Sequence, residues 1–441
     1  MKLLTKNPWI VVLSAAMFFC FEFIQINMFN VIDKEIMRDL NVDGITLSWI
    51  SSMYFYGNIL LLLPAGLLLD RFSTRKLILF AMVLSIIGTI IFALSTNIYT
   101  AGFGRFLVGV SGGPFCFLST MRLASRWFPE EKLAFVIGSI VSIGMIGGLL
   151  AQTPFAILVE MIGWRYSIGV NVCFGIFILG IIALFVFDYH PDRKDEYERQ
   201  RAEHREVGFS IGLSSVASKS QNWFCGAFAS LLNLPIFILG ALWGNLYLHS
   251  VHNLTWMQAS YVSSMLYVGM LIGSPLFGMI SDNIRLRKAP MFVGIIICFI
   301  SVMMVMQNDL SLASLLFWFL VMGFGSSSQI ICYPTIAESN SLTLTGSAES
   351  LSAMLIMSGG AVFQPVFGYM IEKYWDGFKS MGVPVYTADN YHFAMYLFPI
   401  TIIISAICAW KIKETFGRRQ EDNLDIEKVP AINDKNLSAV S

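Results

Sequence analysis

Two ionisable side chains lie where such groups are expensive. Glu22 falls inside the apolar run 9 to 30 and Arg105 inside the run 100 to 122. On insertion scales a charge deep in a bilayer costs about 2.5 to 3.5 kcal/mol, so each needs a role. At about 1.5 Å of helical rise per residue, Glu22 is roughly 12 Å from the far end of its run and Arg105 roughly 7.5 Å. Gln152 and Gln364 lie roughly 10 Å from the same ends of their own runs, so the four side chains share one layer. Such a set can hold a zwitterion. Arg105 would grip its carboxylate in bidentate fashion, Glu22 would face its ammonium, and the glutamines would take the remaining polar edges. Glu22 is also a candidate proton carrier. Two bland readings compete with these: a fixed Glu22–Arg105 pair that registers two helices, and glutamines bonded to backbone carbonyls across helix contacts. The second half of the chain adds Asn233 beside the helix-breaking Pro235, then Tyr267, Gln329 and Tyr333 as further solute contacts.

Other chemistry is missing. The sequence has no GxxxxGK[ST], HExxH or GxSxG, and its five histidines are scattered. No enzyme activity, cofactor or metal is expected. The seven cysteines fall in apolar runs without CxxC spacing and read as small core residues.

The elements that position these residues follow from composition. A chain of 441 residues that is 56% hydrophobic and 13% charged is an integral membrane protein, and its zero formal net charge gives no reason to expect nucleic acid as a partner. Twelve apolar runs are long enough to cross a bilayer, near 9–30, 47–69, 77–96, 100–122, 133–159, 166–187, 223–248, 258–280, 289–307, 311–335, 348–371 and 392–412. The domains are a first half, 1–187, a charged and partly helical cytoplasmic linker, 188–222, a second half, 223–412, and a polar cytoplasmic tail, 413–441. With both termini inside, 23 Lys and Arg residues are cytoplasmic and five, Lys34, Arg38, Arg165, Lys373 and Lys379, are outside. That asymmetry puts both chain ends in the cytoplasm. Trp9, Trp164, Trp223, Trp256 and Tyr391, near run ends, read as interfacial anchors.

The runs form an internal repeat at an offset of 212 residues. GLLLDRFSTRK, 66 to 76, is echoed by GMISDNIRLRK, 278 to 288, which pairs Gly66 with Gly278, Asp70 with Asp282, Arg75 with Arg287 and Lys76 with Lys288. Ser51-Ser52-Met53 recurs as Ser263-Ser264-Met265, Gly147-Gly148 as Gly359-Gly360, and Gln152 as Gln364. The halves are therefore parallel repeats of six helices, an architecture that binds solute near the midplane and exposes it alternately to each side. The repeated clasp, with Arg71, is read as a gate, Asp70 lying among Arg75 and backbone donors at a helix start. Its alternative is a topology anchor.

These residues resemble the major facilitator superfamily of secondary transporters. GLLLDRFSTRK is similar to that family's signature between helices 2 and 3, with the usual echo between helices 8 and 9. Arg105 to Gly113, Arg126-Trp127-Phe128-Pro129 and Gly163-Trp164-Arg165 resemble its helix 4, the loop before helix 5 and the entry to helix 6. The likeness implies a fold in which helices 1, 4, 7 and 10 line the cavity. Two departures stand out. Ser73 and Arg285 replace the signature glycine three residues after the aspartate, and Ile143 to Gly148 lacks the Gly-Pro of the antiporter motif, which leans toward uptake. Gly-Gly-x3-Gln-x-Pro in helix 5, GGAVFQPVFG in helix 11 and VYTADNYHFAMYLFP before helix 12 resemble the phagosomal transporter group of intracellular bacteria, which implies amino acids or nucleosides as solutes.

The expectation is a monomeric, multi-pass transporter of the cell membrane, or inner membrane of a Gram-negative cell. It imports an amino acid or related metabolite by alternating access with proton symport. Its rivals are an exporter of a siderophore or drug, and a transport-dead receptor or scaffold of the same fold.

Overall fold

A computed structural model describes residues 7–128, 130–189, 209–340, 345–380 and 383–418. The linker and tail expected at 188–222 and 413–441 fall largely outside the described residues. Among those described, twelve helices are long and apolar enough to cross a membrane: Pro8–Asn27, Gly44–Leu62, Thr74–Ala93, Ile98–Trp127, Val136–Ile162, Trp164–Phe185, Ser220–His252, Trp256–Ile284, Lys288–Val305, Leu312–Ser339, Ser347–Glu372 and Ala388–Lys411. Spans 1 to 12 below follow this order. They form two parallel six-helix halves, and each matches one predicted apolar run.

Capping residues set the span starts. Asn7, Asp43, Ser73, Asn97, Thr255, Ser311 and Thr387 each accept a backbone N–H of the following first turn. Apolar composition then buries the helices against one another, and the pattern of burial differs between the two faces. On the face away from the chain ends, the distal face, one cluster runs through both halves and includes Phe29, Ile50, Phe237 and Trp243. On the face that carries the chain ends, the terminal face, the first half has its own cluster, with Val11, Ala65, Trp127 and Ile182. A single apolar core thus joins the halves distally, whereas the terminal side of the first half packs as a core of its own.

Several helices are irregular where the apolar pattern gives no sign of it. Span 1 turns at Met28 into a second helix, Phe29–Leu40, and the Asn27 amide donates back to the Phe23 carbonyl at 2.7 Å, local bonding that bends helices. Span 5 breaks at Gln152. Span 7 passes through Pro235, which has no N–H, into a π-helical segment, Ile236–Trp243. Span 10 contains a 3-10 segment, Ser327–Ile331. A short hairpin, Lys379–Ser380 with Val383–Pro384, lies between spans 11 and 12.

Some sequence readings are corrected here. Cys173 is exposed on the helix surface, so one of the seven cysteines is not a core residue, while Cys408 is half-buried against the core. Trp164 and Tyr391 are buried at 3% and 0% exposure, so they pack inside the protein instead of anchoring at an interface. At the clasp, Ser73 needs no positive φ, with φ −62°, and serves as a helix cap. Arg285 adopts φ +53° to end its helix, a left-handed conformation that costs a non-glycine residue about 1 to 2 kcal/mol.

Candidate functional site

Glu22 and Arg105 lie in one polar cluster inside the first half, each 1% exposed. Ser85 donates to Glu22 Oε1 at 2.6 Å and Tyr54 donates to Oε2 at 3.2 Å. Arg105 Nη1 donates to the Gln25 carbonyl at 2.7 Å, and its guanidinium stands over the rings of Phe29 at 4.4 Å and Tyr54 at 5.2 Å. The two charges form no direct ion pair. Gln25 Nε2 continues the network to Thr89 Oγ1 at 2.9 Å. Room for the cluster comes from span 4. A Cβ on Gly112 would lie 1.8 Å from Glu22 Cδ, and one on Gly109 would lie 1.9 Å from the Tyr54 carbonyl oxygen.

The two repeat-related glutamines take up carbonyls of the irregular span 7. Gln152 Nε2 donates to Gly240 O at 2.8 Å and Gln364 Nε2 to Phe237 O at 2.7 Å. A π-helical turn misaligns carbonyls from their usual donors, and side-chain amides can serve them.

Beside Gln152 a polar layer joins the halves. Asn30 and Asn245 bond reciprocally: Asn245 N donates to Asn30 Oδ1 at 2.9 Å and Asn30 Nδ2 to Asn245 Oδ1 at 3.3 Å. Asn30 Nδ2 also reaches Gln152 Oε1 at 3.0 Å, and Ser263 donates to Asn245 Oδ1 at 2.8 Å. Tyr267 donates to Asn27 Oδ1 at 2.6 Å. Farther out, the hairpin loop holds spans 2 and 11 together. Tyr386 donates to Glu372 Oε1 at 2.9 Å and accepts from Gly44 N at 2.9 Å. This is a closed distal seal.

The terminal half is open. A cavity of about 660 Å³ is walled by the terminal-side ends of spans 4, 5, 8, 10 and 11, with Phe117, Met145, Met270, Tyr333 and Glu349 among its lining. Its size suits a small organic ligand, whose sites occupy about 300 to 1,000 Å³. Of the solute candidates named from sequence, Tyr333 lines this cavity. Glu22, Arg105, Gln152, Gln364 and Tyr267 are instead engaged in the packed layer beyond it. Asn233 caps the break in span 7 with its Oδ1 buried and unpartnered, and the buried Gln329 Oε1, in the 3-10 segment, is likewise unpartnered.

The clasp residues occupy the terminal face. Asp188, just after span 6, accepts from Arg75 N at 2.8 Å and from Ser73 Oγ at 2.5 Å, while Arg75 Nη2 donates to Ala183 O at 2.6 Å. The second copy repeats the arrangement. Glu414, just after span 12, accepts from Arg287 N at 2.7 Å and Lys288 N at 2.9 Å. In both halves a carboxylate following the last helix therefore caps the start of the third, where the helix dipole favours negative charge. Arg287 also binds Asp282 at 2.6 Å and Glu338 at 2.5 Å. Burial alone lowers the Arg287 pKa, but hydrogen bonds and charge from Glu338 and Asp282 outweigh it and raise the net value. Lys76 N donates to Ser73 Oγ at 3.2 Å. The side chains of Asp70 and Arg71 lie outside the described residues. Among the described residues, Gly66 faces only Ser350 Oγ, 3.9 Å from where a Cβ would sit, and Gly278 has nothing within 4 Å.

Sequence reasoning missed Tyr54, Ser85, Asn30, Asn245, Asp188, Glu414 and Glu349. The available signal was weak: neutral polar residues within apolar runs, and carboxylates just past the ends of spans 6 and 12.

The chain resembles known proteins along most of its length. It is 24% identical over 385 residues to a probable galactarate/D-glucarate transporter of Escherichia coli, covering 78% of this chain and 82% of that one. It is 21% identical over 416 residues to a tetracenomycin C resistance and export protein of Streptomyces glaucescens, covering 83% and 77%. Its fold matches a bacterial homologue of the human lysosomal transporter Spinster, solved in an inward-facing and unoccupied conformation, with TM-score 0.73 at 15% identity over 94% of this chain and 99% of that one. The nucleoside transporter NupG gives TM-score 0.71 at 12% identity, covering 91% and 99%. The family model described as Major Facilitator Superfamily matches residues 11–364. Twelve spans in two parallel halves around a central cavity, together with that match, make this chain a member of the major facilitator superfamily of transporters.

Proposed function

We propose that this transporter carries a small organic solute, an amino acid or related metabolite, into the cell with a coupled proton, and that its terminal face is cytoplasmic. The observation that carries this reading is the contrast between the two faces. The distal layer of Asn30, Asn245 and Gln152 is sealed, while the cavity of about 660 Å³ lies in the terminal half, an arrangement suited to the inward-open stage of alternating access. Lys and Arg asymmetry supports the cytoplasmic assignment. The missing Gly-Pro in Ile143 to Gly148 supports uptake over exchange-driven export.

Glu22 is the proposed proton carrier, a carboxyl served by two neutral hydroxyls, Ser85 and Tyr54, and denied a direct partner in Arg105. The clasps are proposed to close the terminal face in the opposite stage. In the present conformation no described neighbour lies close enough to require a glycine at 66 or 278. A helix that packs there on closing supplies such a requirement.

Export is the second reading, favoured by the apolar cavity lining and by a relative named as an exporter. Uptake by proteoliposomes of known orientation, with and without an imposed pH gradient, separates the two. Solute accumulation driven by a proton gradient directed toward the terminal-face compartment supports the proposal. Extrusion from that compartment by an inward proton gradient supports export.

A further inference from the structure

The cavity holds one carboxyl group that no described residue neutralises. Among the described residues, three charged side chains line it: Asp282, Arg287 and Glu349. Asp282 and Arg287 pair at 2.6 Å, and Arg287 is further bound to Glu338 at 2.5 Å and Ser281 at 2.8 Å. Glu349, near the terminal start of span 11, makes no hydrogen bond or ion pair with any described residue. Much of the remaining wall is apolar, including Met121, Met145 and Met270, and the rings of Phe117 and Tyr333 lie 6.4 Å apart in it.

We infer that Glu349 anchors the ammonium group of the transported solute, whose apolar part rests against the methionines and the Phe117–Tyr333 pair. The inference deepens the proposed function and rests on reading this cavity as the solute path. A carboxylate in a largely apolar wall pays a desolvation cost that a bound organic cation offsets. Aromatic faces beside it add attraction for the same charge. An organic diacid finds no comparable partner among the described residues, where the one basic lining group, Arg287, has its donors already engaged by Asp282, Glu338 and Ser281. The class selected is an amphipathic amine, which includes amino-bearing metabolites with apolar side groups.

The test uses the purified full-length protein and three probes of one shape: phenethylamine, phenethyl alcohol and phenylacetate. Thermal stabilisation by the amine is expected to half-saturate at about tenfold lower concentration than the alcohol, a difference of about 1.4 kcal/mol, with no stabilisation by the acid. Glu349→Gln should bring the amine to the level of the alcohol, and Glu349→Asp should keep part of the difference. Acid stabilisation equal to that of the amine overturns the inference, as does an amine preference that survives Glu349→Gln. Should Glu349→Gln not fold, the wild-type ranking of amine, alcohol and acid decides alone. Counterflow in proteoliposomes separates this site from the transport reading. Amine preference without counterflow keeps the site and removes transport. Counterflow of an acidic solute unaffected by Glu349→Gln keeps transport and removes the site.

Discussion

Glu22 and Arg105 share the side chain of Tyr54 without touching each other: the tyrosine hydroxyl donates to Glu22 Oε2 at 3.2 Å, and its ring lies 5.2 Å below the Arg105 guanidinium. The tyrosine therefore couples the two charges through one rigid group. Neutralising Glu22 removes the charge that strengthens the bond to the hydroxyl holding the ring under Arg105, so the protonation state of one residue bears on the position of the other. Glu22→Gln is expected to abolish proton-driven accumulation while sparing solute exchange, measured in proteoliposomes. Unchanged accumulation would remove the coupling role.

Tyr54→Phe keeps the ring and deletes the hydroxyl. It leaves Glu22 Oε2 unserved, a loss of about 1 to 3 kcal/mol for a buried acceptor. The expected outcome is a lower melting temperature together with a shifted pH dependence of uptake. A change in melting temperature alone would mark the hydroxyl as purely structural.

Span 4 must remain glycine beside this cluster. A methyl at Gly109 would lie 1.9 Å from the backbone oxygen of Tyr54, which cannot move without shifting span 2. Gly109→Ala should destabilise the protein by about 1 to 3 kcal/mol, as overpacking does. Gly138→Ala is the control, since no described residue lies within 4 Å of its Cβ position. Thermal melts of the two variants should separate clearly, and equal melts would refute the close contact.

The distal seal depends on the Asn30 and Asn245 amides. Asn245→Leu removes the side-chain bonds and leaves Asn30 Nδ2 with Gln152 as its amide partner. A penalty of about 1 to 3 kcal/mol on the closed layer shifts the population toward the distally open state by roughly 5- to 150-fold. Labelling of a Ser264→Cys reporter by a membrane-impermeant thiol reagent from the distal side should speed up accordingly. An unaltered labelling rate would show that the seal lies elsewhere.

A pH effect should arise from the helix that follows span 1. Asp33 is fully buried with Oδ2 unpartnered, and burial, then the nearby Glu35, raises its carboxyl well above the ordinary range. Burial raises Glu35 as well. A folded-state value above the unfolded one favours the protonated fold. The stability is therefore present in full below the ordinary carboxylate range and is lost as pH rises through the raised values. Asp33→Asn should raise the melting temperature at neutral pH and flatten its decline as pH rises above the ordinary carboxylate range. A decline as steep as that of the wild type would assign the slope to other groups.

The sequence by itself determined the number of spans, their pairing into two halves and the family resemblance, because bilayer thickness and the hydropathy of each run act locally. It also singled out Glu22, Arg105, Gln152 and Gln364, since a polar group in an apolar run is costly wherever the fold places it. Only the tertiary structure decided what those groups touch. Tyr54 entered between Glu22 and Arg105 because Gly109 lets spans 2 and 4 approach, a fact of side-chain volume across helices that no single run encodes. The glutamines found carbonyls because span 7 departs from α-helical bonding after Pro235, and Asn30 met Asn245 because the two halves close on the distal face. Glu349 lies at the edge of the apolar run 348–371, where nothing in the sequence sets it apart. Its lack of a partner among the described residues became visible only once its neighbours were in place, since that is a property of the fold.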